Sequence, residues 1–126
     1  MNRHEARKLA FQILFQIDIN DIEPAQAMEA YLETNDIDPF IQTLVTGVGA
    51  NKYQIDETIK SHLENWSYDR IASVEKTILR LSVYEMQYLD DIPVNVSINE
   101  AVELAHIFAD GQSGKFVNGV LSKLIV

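Results

Sequence analysis

The loop at residues 111–115 (GQSGK) has the composition of a phosphate-binding loop. A P-loop needs a glycine five residues before its Gly-Lys pair, a Ser or Thr after the lysine, and a preceding strand. Here those two positions hold Ala109 and Phe116, and the residues before the loop have helical periodicity. The loop also lacks the G-x-S-x-G spacing of a nucleophile elbow. It therefore predicts neither nucleotide hydrolysis nor acyl transfer.

Glu103 and His106 have the E-x-x-H spacing found in di-iron helical bundles. Such a site needs a second E-x-x-H pair and two further glutamates on facing helices. The other two histidines, His4 and His62, have no glutamate three residues before them, and the chain has no cysteine. We therefore expect no metal site and no cofactor, and we predict that the protein is not an enzyme.

Charge limits the partners that the chain can attract. The net charge is −9 and the sequence pI is about 4.6, so any contact with nucleic acid requires a local basic patch. Arg3, Arg7 and Lys8 supply three cations near the start of the first helix, with Glu5 among them. Cations at that position act against the helix dipole. They are explained either as a solvated basic end or as contacts to RNA.

Length and composition predict a single globular domain over residues 1–126, with 47% hydrophobic and 23% charged residues. No apolar run approaches the roughly 20 residues of a membrane span. The N-terminus begins directly with an amphipathic pattern rather than a signal peptide. Together with the absence of cysteine, this favours a cytoplasmic protein that does not enter a membrane.

Hydrophobic residues recur at helical spacing throughout, which predicts an all-α fold of six or seven helices. Residues 3–18 form the first helix. Asp38 and Pro39 are expected to cap and begin a long helix whose apolar face runs as far as Trp66. Gly47 weakens that helix, and close packing of a neighbouring helix is the expected compensation. A further long helix is predicted from Ser73 to about residue 89.

The last third of the chain predicts two helices joined by a polar loop. Ser97 and Glu100 have the S-x-x-E spacing of a capping box, and Gly111 suits a left-handed helix end. Ser113 is expected to cap the last helix, whose apolar face includes Leu121. Phe116 has inward spacing, so it belongs either to the core or, if exposed, to a surface on which bases stack.

Four segments of the sequence resemble the NusB family of transcription antitermination factors. The strongest are INEAVELAHIF and GKFVNGVLSKL in the last third. The run VEKTILRLSVYEM resembles the central helix of that family, and RHEARKLAFQILFQID resembles its first helix. The resemblance implies two small helical bundles packed on one another, with no catalytic activity.

The resemblance also implies partners. Members of the family pair with NusE, a small-subunit ribosomal protein, and the pair binds the boxA element of ribosomal RNA transcripts. The assembly works with RNA polymerase and other Nus factors to prevent termination. The alternative that remains open is a helical module that binds only protein.

By position, the resemblance assigns two surfaces. The RNA face would comprise the basic start of the first helix and the start of the last: Arg3, Arg7, Lys8, Ser113, Lys115, Phe116 and Asn118. The NusE face would lie along the central helix: Asp69, Glu75, Arg80 and Tyr84.

Overall fold

The computed structural model describes residues 1–36 and 38–125, so Ile37 and Val126 lie outside the description. Within those ranges the chain contains helices and no strand, which confirms the predicted all-α class. The elements are α1 (Arg3–Asn20), α2 (Pro24–Leu32), α3 (Pro39–Ala50), α4 (Lys52–Ser61), a 3-10 turn (Tyr68–Arg70), α5 (Ser73–Tyr88), α6 (Val94–Phe108) and α7 (Gly111–Ser122).

The central helix α5 organises the packing. It contacts α1, α3, α4, α6 and α7; α1, α2 and α3 also contact one another, as do α6 and α7, so two small helical bundles share α5. Residues 77–85 of α5 are all buried, as expected of a helix surrounded by others. The largest fully buried side chains come from both bundles: Ile41, Leu44, Ile55, Ile59, Ile78, Leu79, Leu81, Leu104 and Leu121.

A buried polar network ties three helices together. Arg7 of α1 donates from Nε and Nη2 to the two carboxylate oxygens of Glu85 on α5, each at 2.8 Å. The hydroxyl of Ser97 on α6 donates to Oε1 of the same carboxylate at 3.1 Å. The Arg7 and Glu85 side chains are 4% and 2% exposed. The pair is thus charged, hydrogen-bonded and shielded from water, and it fixes how α1 and α6 meet α5.

The predicted helix starts are partly right. Asp38 caps α3, because its carboxylate accepts from the backbone N–H of Phe40 at 2.8 Å. Ser97 is not a cap: α6 begins at Val94, and the Ser97 hydroxyl is used in the buried network. The capping box is therefore wrong.

The predicted loop between the last two helices is also corrected. Asp110 caps α7 by accepting from the backbone N–H of Ser113 at 2.7 Å, so Ser113 lies inside the helix. Gly111 is the first residue of α7 and has no positive φ. The left-handed helix end expected there is therefore wrong.

The long helix predicted from Pro39 is divided in two at Asn51. The Asn51 side chain donates to the carbonyl of Gly47 at 2.9 Å, which ends α3. Gly47 allows the expected close approach, since a Cβ there would overlap the ring of Tyr84 on α5. The second of the two helices, α4, ends at Ser61. Trp66 therefore lies beyond it and is 58% exposed rather than part of an apolar face.

Candidate nucleic-acid interface

The basic start of α1 presents two of its three predicted cations at the surface. Arg3 is exposed, with its guanidinium 4.5 Å from the centre of the Phe40 ring and Nη2 at 3.6 Å from a carboxylate oxygen of Asp91. Lys8 is half-buried and lies 3.7 Å from Glu5. Ion pairs this exposed are weak, so a phosphate can compete for both side chains.

Arg7 lies in a different environment from its two neighbours. Its guanidinium is buried and holds the Glu85 carboxylate through two hydrogen bonds. Moving it to a phosphate would leave a carboxylate buried without its partner, which is strongly unfavourable. The structure therefore places Arg7 in the interior, where it joins α1 to α5, rather than at the surface as a contact to RNA requires.

The start of α7 presents a second polar surface. Lys115 and Asn118 are exposed, and both line an open cleft with Asn99 and Glu103 of α6. Lys115 makes no ion pair within the described residues. At this helix start the backbone N–H of Ser113 already donates a hydrogen bond to the Asp110 carboxylate. The helix end is therefore less open to phosphate than the sequence suggested, and Lys115 is the main cation here.

The side chain of Phe116 is partly exposed and contacts another aromatic ring. Its ring meets the indole of Trp66 edge to face, with ring centres 5.5 Å apart. The two rings line a cleft of about 550 Å³, which we call the Trp66 cleft. Its other lining residues include Arg70, Glu75, Ser113 and Lys115. The cleft therefore brings aromatic rings and cations together at the surface.

The two basic surfaces both adjoin α6. His4 of α1 shares a 2.8 Å hydrogen bond with Glu100 of α6, while Glu103 on the same helix lines the cleft with Lys115. Carboxylates therefore stand on the helix that both surfaces contact. RNA approaching either surface would therefore meet cations interspersed with carboxylates rather than a purely basic field.

The predicted partner-binding residues divide into two exposure classes. Asp69 is exposed in the 3-10 turn, and Glu75 is half-exposed on the rim of the Trp66 cleft. Tyr84 is buried, with its ring against Gly47 and stacked on Tyr88 at 5.2 Å. The structure therefore places the Tyr84 ring inside the fold, where it packs α5 against α3, rather than on an exposed face.

Arg80 is also a packing residue rather than a surface residue. It is 8% exposed, and its guanidinium donates to Asp56 at 2.8 Å and to Asp18 at 3.1 Å. Burial acts to lower its pKa, but these carboxylates outweigh that effect and raise the pKa above its ordinary value. Arg80 therefore stays charged and links α5 to α1 and α4 from within the fold.

Comparison with known proteins identifies the fold family. A sequence model of the NusB family matches residues 4–125. The Transcription antitermination protein NusB of Oceanobacillus iheyensis is 62% identical over 125 residues, covering 99% of each chain. The chain belongs to the NusB family. The protein of the same name from Bacillus subtilis is 54% identical, over 98% of this chain and 95% of its own.

Solved NusB structures have the same fold. The chain superimposes on T. maritima NusB with a TM-score of 0.89 and 36% identity, over 98% of this chain and 90% of that one. A structure of antitermination factors NusB and NusE in complex with dsRNA gives a TM-score of 0.85 and 32% identity. That match covers 98% of this chain and 97% of the other. The NusB fold therefore extends over nearly the whole chain.

The sequence prediction for this NusB-family chain did not place Trp66 or Arg70 in a surface cleft, where the structure puts them. Trp66 was assigned to an inward helix face because the break at Asn51 has no proline to signal it. A signal was available in the composition, because Trp66 is the only tryptophan and it stands among polar residues rather than in an apolar run.

Across residues 1–36 and 38–125, no group of three or more His, Cys, Asp or Glu side chains is placed to hold a metal ion. None of the helices described is long and apolar enough to cross a membrane.

Proposed function

We propose that this chain is a transcription antitermination factor that pairs with NusE and binds boxA RNA of ribosomal RNA transcripts. It would act in the RNA polymerase elongation complex with other Nus factors, as a single cytoplasmic domain over residues 1–126 without cofactor or enzymatic activity. The observation that carries this proposal is the match, over 98% of the chain, to the fold in the NusB–NusE–dsRNA complex.

The RNA contacts that we propose come from the accessible residues of the predicted set: Arg3, Lys8, Ser113, Lys115, Phe116 and Asn118. Three of these side chains are cations. Each phosphate contact contributes about 0.7 to the log–log salt slope on single-stranded RNA, so the free protein should show a slope of about −2. With a net charge of −9, its binding to RNA should be weak without a partner.

The NusE contacts that we propose come from Asp69 and Glu75, the two accessible residues of the predicted partner face. Substitution Glu75→Lys reverses a charge at a half-exposed position that makes no ion pair within the described residues. We expect weaker pairing with NusE and a melting temperature close to that of the wild type. Calorimetric titration with NusE, in the absence of RNA, measures the effect.

The matched control for that experiment is Glu29→Lys, which makes the same charge change at an exposed position of α2. It should pair with NusE as the wild type does. Equal affinities for all three proteins would remove Glu75 from the interface.

The proposed function is tested by titrating a fluorescently labelled boxA RNA and following its anisotropy, with and without NusE. We expect weak binding by the free protein and much tighter binding in the presence of NusE. A boxA sequence with scrambled bases should lose most of that gain. Absence of RNA binding with NusE present would favour the alternative, a helical module that binds only protein.

A further inference from the structure

The Trp66 cleft combines features that neither the core nor a solvated surface requires. Trp66 is 58% exposed, so its indole adds little to the core. Single exposed apolar side chains are common and need no explanation. Here, however, the indole meets Phe116 at 5.5 Å, and Ile71 lines the same concavity. An aromatic surface assembled in a cleft is a feature of ligand sites.

The cations of the cleft also differ from most of the other cations of the chain. Most of its Lys and Arg side chains are paired with carboxylates, as Arg7, Arg80 and Lys123 are. Arg70 and Lys115 are exposed and make no ion pair within residues 1–36 and 38–125. Both line the Trp66 cleft. Two unpaired cations thus stand beside two aromatic rings.

The acidic residues of the cleft argue against a purely electrostatic ligand. Glu75 and Asp110 line it too, so the formal charges of the four side chains cancel. The Asp110 carboxylate is occupied by the backbone N–H of Ser113. A ligand held only by charge would find little net attraction, whereas a planar base gains from the rings and its flanking phosphates gain from the cations.

We propose that the Trp66 cleft holds an unstacked nucleobase of single-stranded RNA, with Trp66 and Phe116 as its stacking surface. Arg70 and Lys115 contact the phosphates on either side of that base. A base in a duplex is already stacked and cannot present its face, so the site selects single-stranded RNA. The inference rests on the proposed function. It extends the proposed RNA surface beyond Lys115 and Phe116 to Trp66 and Arg70, which lie in the segment between α4 and α5.

Because Trp66 is the only tryptophan, its fluorescence reports directly on the cleft. The probe is a single-stranded boxA RNA, titrated into the protein with and without NusE. We expect the indole emission to be quenched with the same midpoint as the anisotropy of the labelled RNA. The Trp66→Phe variant removes the indole and serves as the optical blank, while its remaining ring should retain most of the affinity.

Two substitutions separate stacking from charge. Trp66→Ala should weaken RNA binding by about 5- to 140-fold, the range expected for one stacked base. Arg70→Ala should flatten the log–log salt slope by about 0.7, whereas Lys52→Ala, an exposed cation that lines a different cavity, should leave it unchanged. Circular dichroism must show that each variant is folded as the wild type is.

The outcomes distinguish the two proposals. Tight RNA binding in the presence of NusE, with unquenched indole emission and wild-type affinity in Trp66→Ala, would overturn the stacking site and leave the proposed function intact. A Trp66→Ala variant that loses NusE pairing in the absence of RNA would show that the cleft binds protein instead. No RNA binding under either condition would contradict both proposals.

Discussion

Replacing Arg7 should lower the free energy of unfolding of the protein rather than its affinity for RNA. Arg7→Ala deletes two 2.8 Å hydrogen bonds to Glu85, whose side chain is 2% exposed in the wild type, and leaves that carboxylate with only the Ser97 hydroxyl as partner. Breaking a buried ion pair from one side costs about 3–5 kcal/mol of unfolding free energy. That is a large share of the roughly 5–15 kcal/mol that holds a domain together, and the melting temperature should fall on the order of 10–20 °C.

Urea unfolding followed by circular dichroism measures this loss. The control is Lys8→Ala, one residue further along α1, where a half-buried lysine lies 3.7 Å from Glu5 and the expected loss is at most about 1 kcal/mol. The Arg7→Ala deficit should persist at about 1 M salt, because a buried pair is poorly screened. The double variant Arg7→Met, Glu85→Leu should be more stable than Arg7→Ala alone.

The reasoning fails if Arg7→Ala unfolds within about 0.5 kcal/mol of the wild type, the level typical of surface substitutions. It also fails if the folded variant shows an RNA salt slope flatter by about 0.7. That result would mean that Arg7 leaves Glu85 to contact a phosphate.

Three further outcomes follow from the packing. Leu121→Ala should cost about 2–5 kcal/mol in urea unfolding, since Leu121 is 0% exposed; a loss below about 0.5 kcal/mol would contradict its burial. Gly47→Ala should cost about 1–3 kcal/mol because its methyl group would overlap the Tyr84 ring, and a neutral result would contradict that contact. Burial and a 2.6 Å hydrogen bond to Asp56 raise the pKa of Tyr68. The protonated Tyr68 hydroxyl therefore contributes its full share to the free energy of unfolding below the ordinary tyrosine pKa of about 10. That contribution is lost progressively as the pH rises above this value. Wild type should lose more stability than Tyr68→Phe between about pH 8 and pH 10.5, and equal losses would refute the assignment.

Local and periodic features of the fold were predictable from the sequence. Helical spacing is a property of neighbouring residues, so the all-α class and the extent of α5 follow from it. Asp38 and Pro39 mark the start of α3 because capping depends only on residues a turn apart. Four short segments carry the family resemblance, and the match of the NusB family model to residues 4–125 confirms it.

The errors concern interactions between distant residues. Arg7 looked like a surface cation because its partner, Glu85, is 78 residues away in the sequence. Ser97 satisfied the local capping pattern, but the same hydroxyl is drawn to that buried carboxylate and the helix begins earlier. Accessibility of Trp66 depends on where α4 ends and on the position of Phe116, which no periodic pattern specifies.

The most direct test of the central claim is terminator read-through in reconstituted transcription. RNA polymerase, NusE and the other Nus factors transcribe a template with boxA upstream of a terminator, and the full-length fraction is measured with and without this protein. We predict that adding the protein raises read-through on that template, and that scrambling boxA abolishes the increase. Equal read-through with and without the protein would contradict the assignment as an antitermination factor.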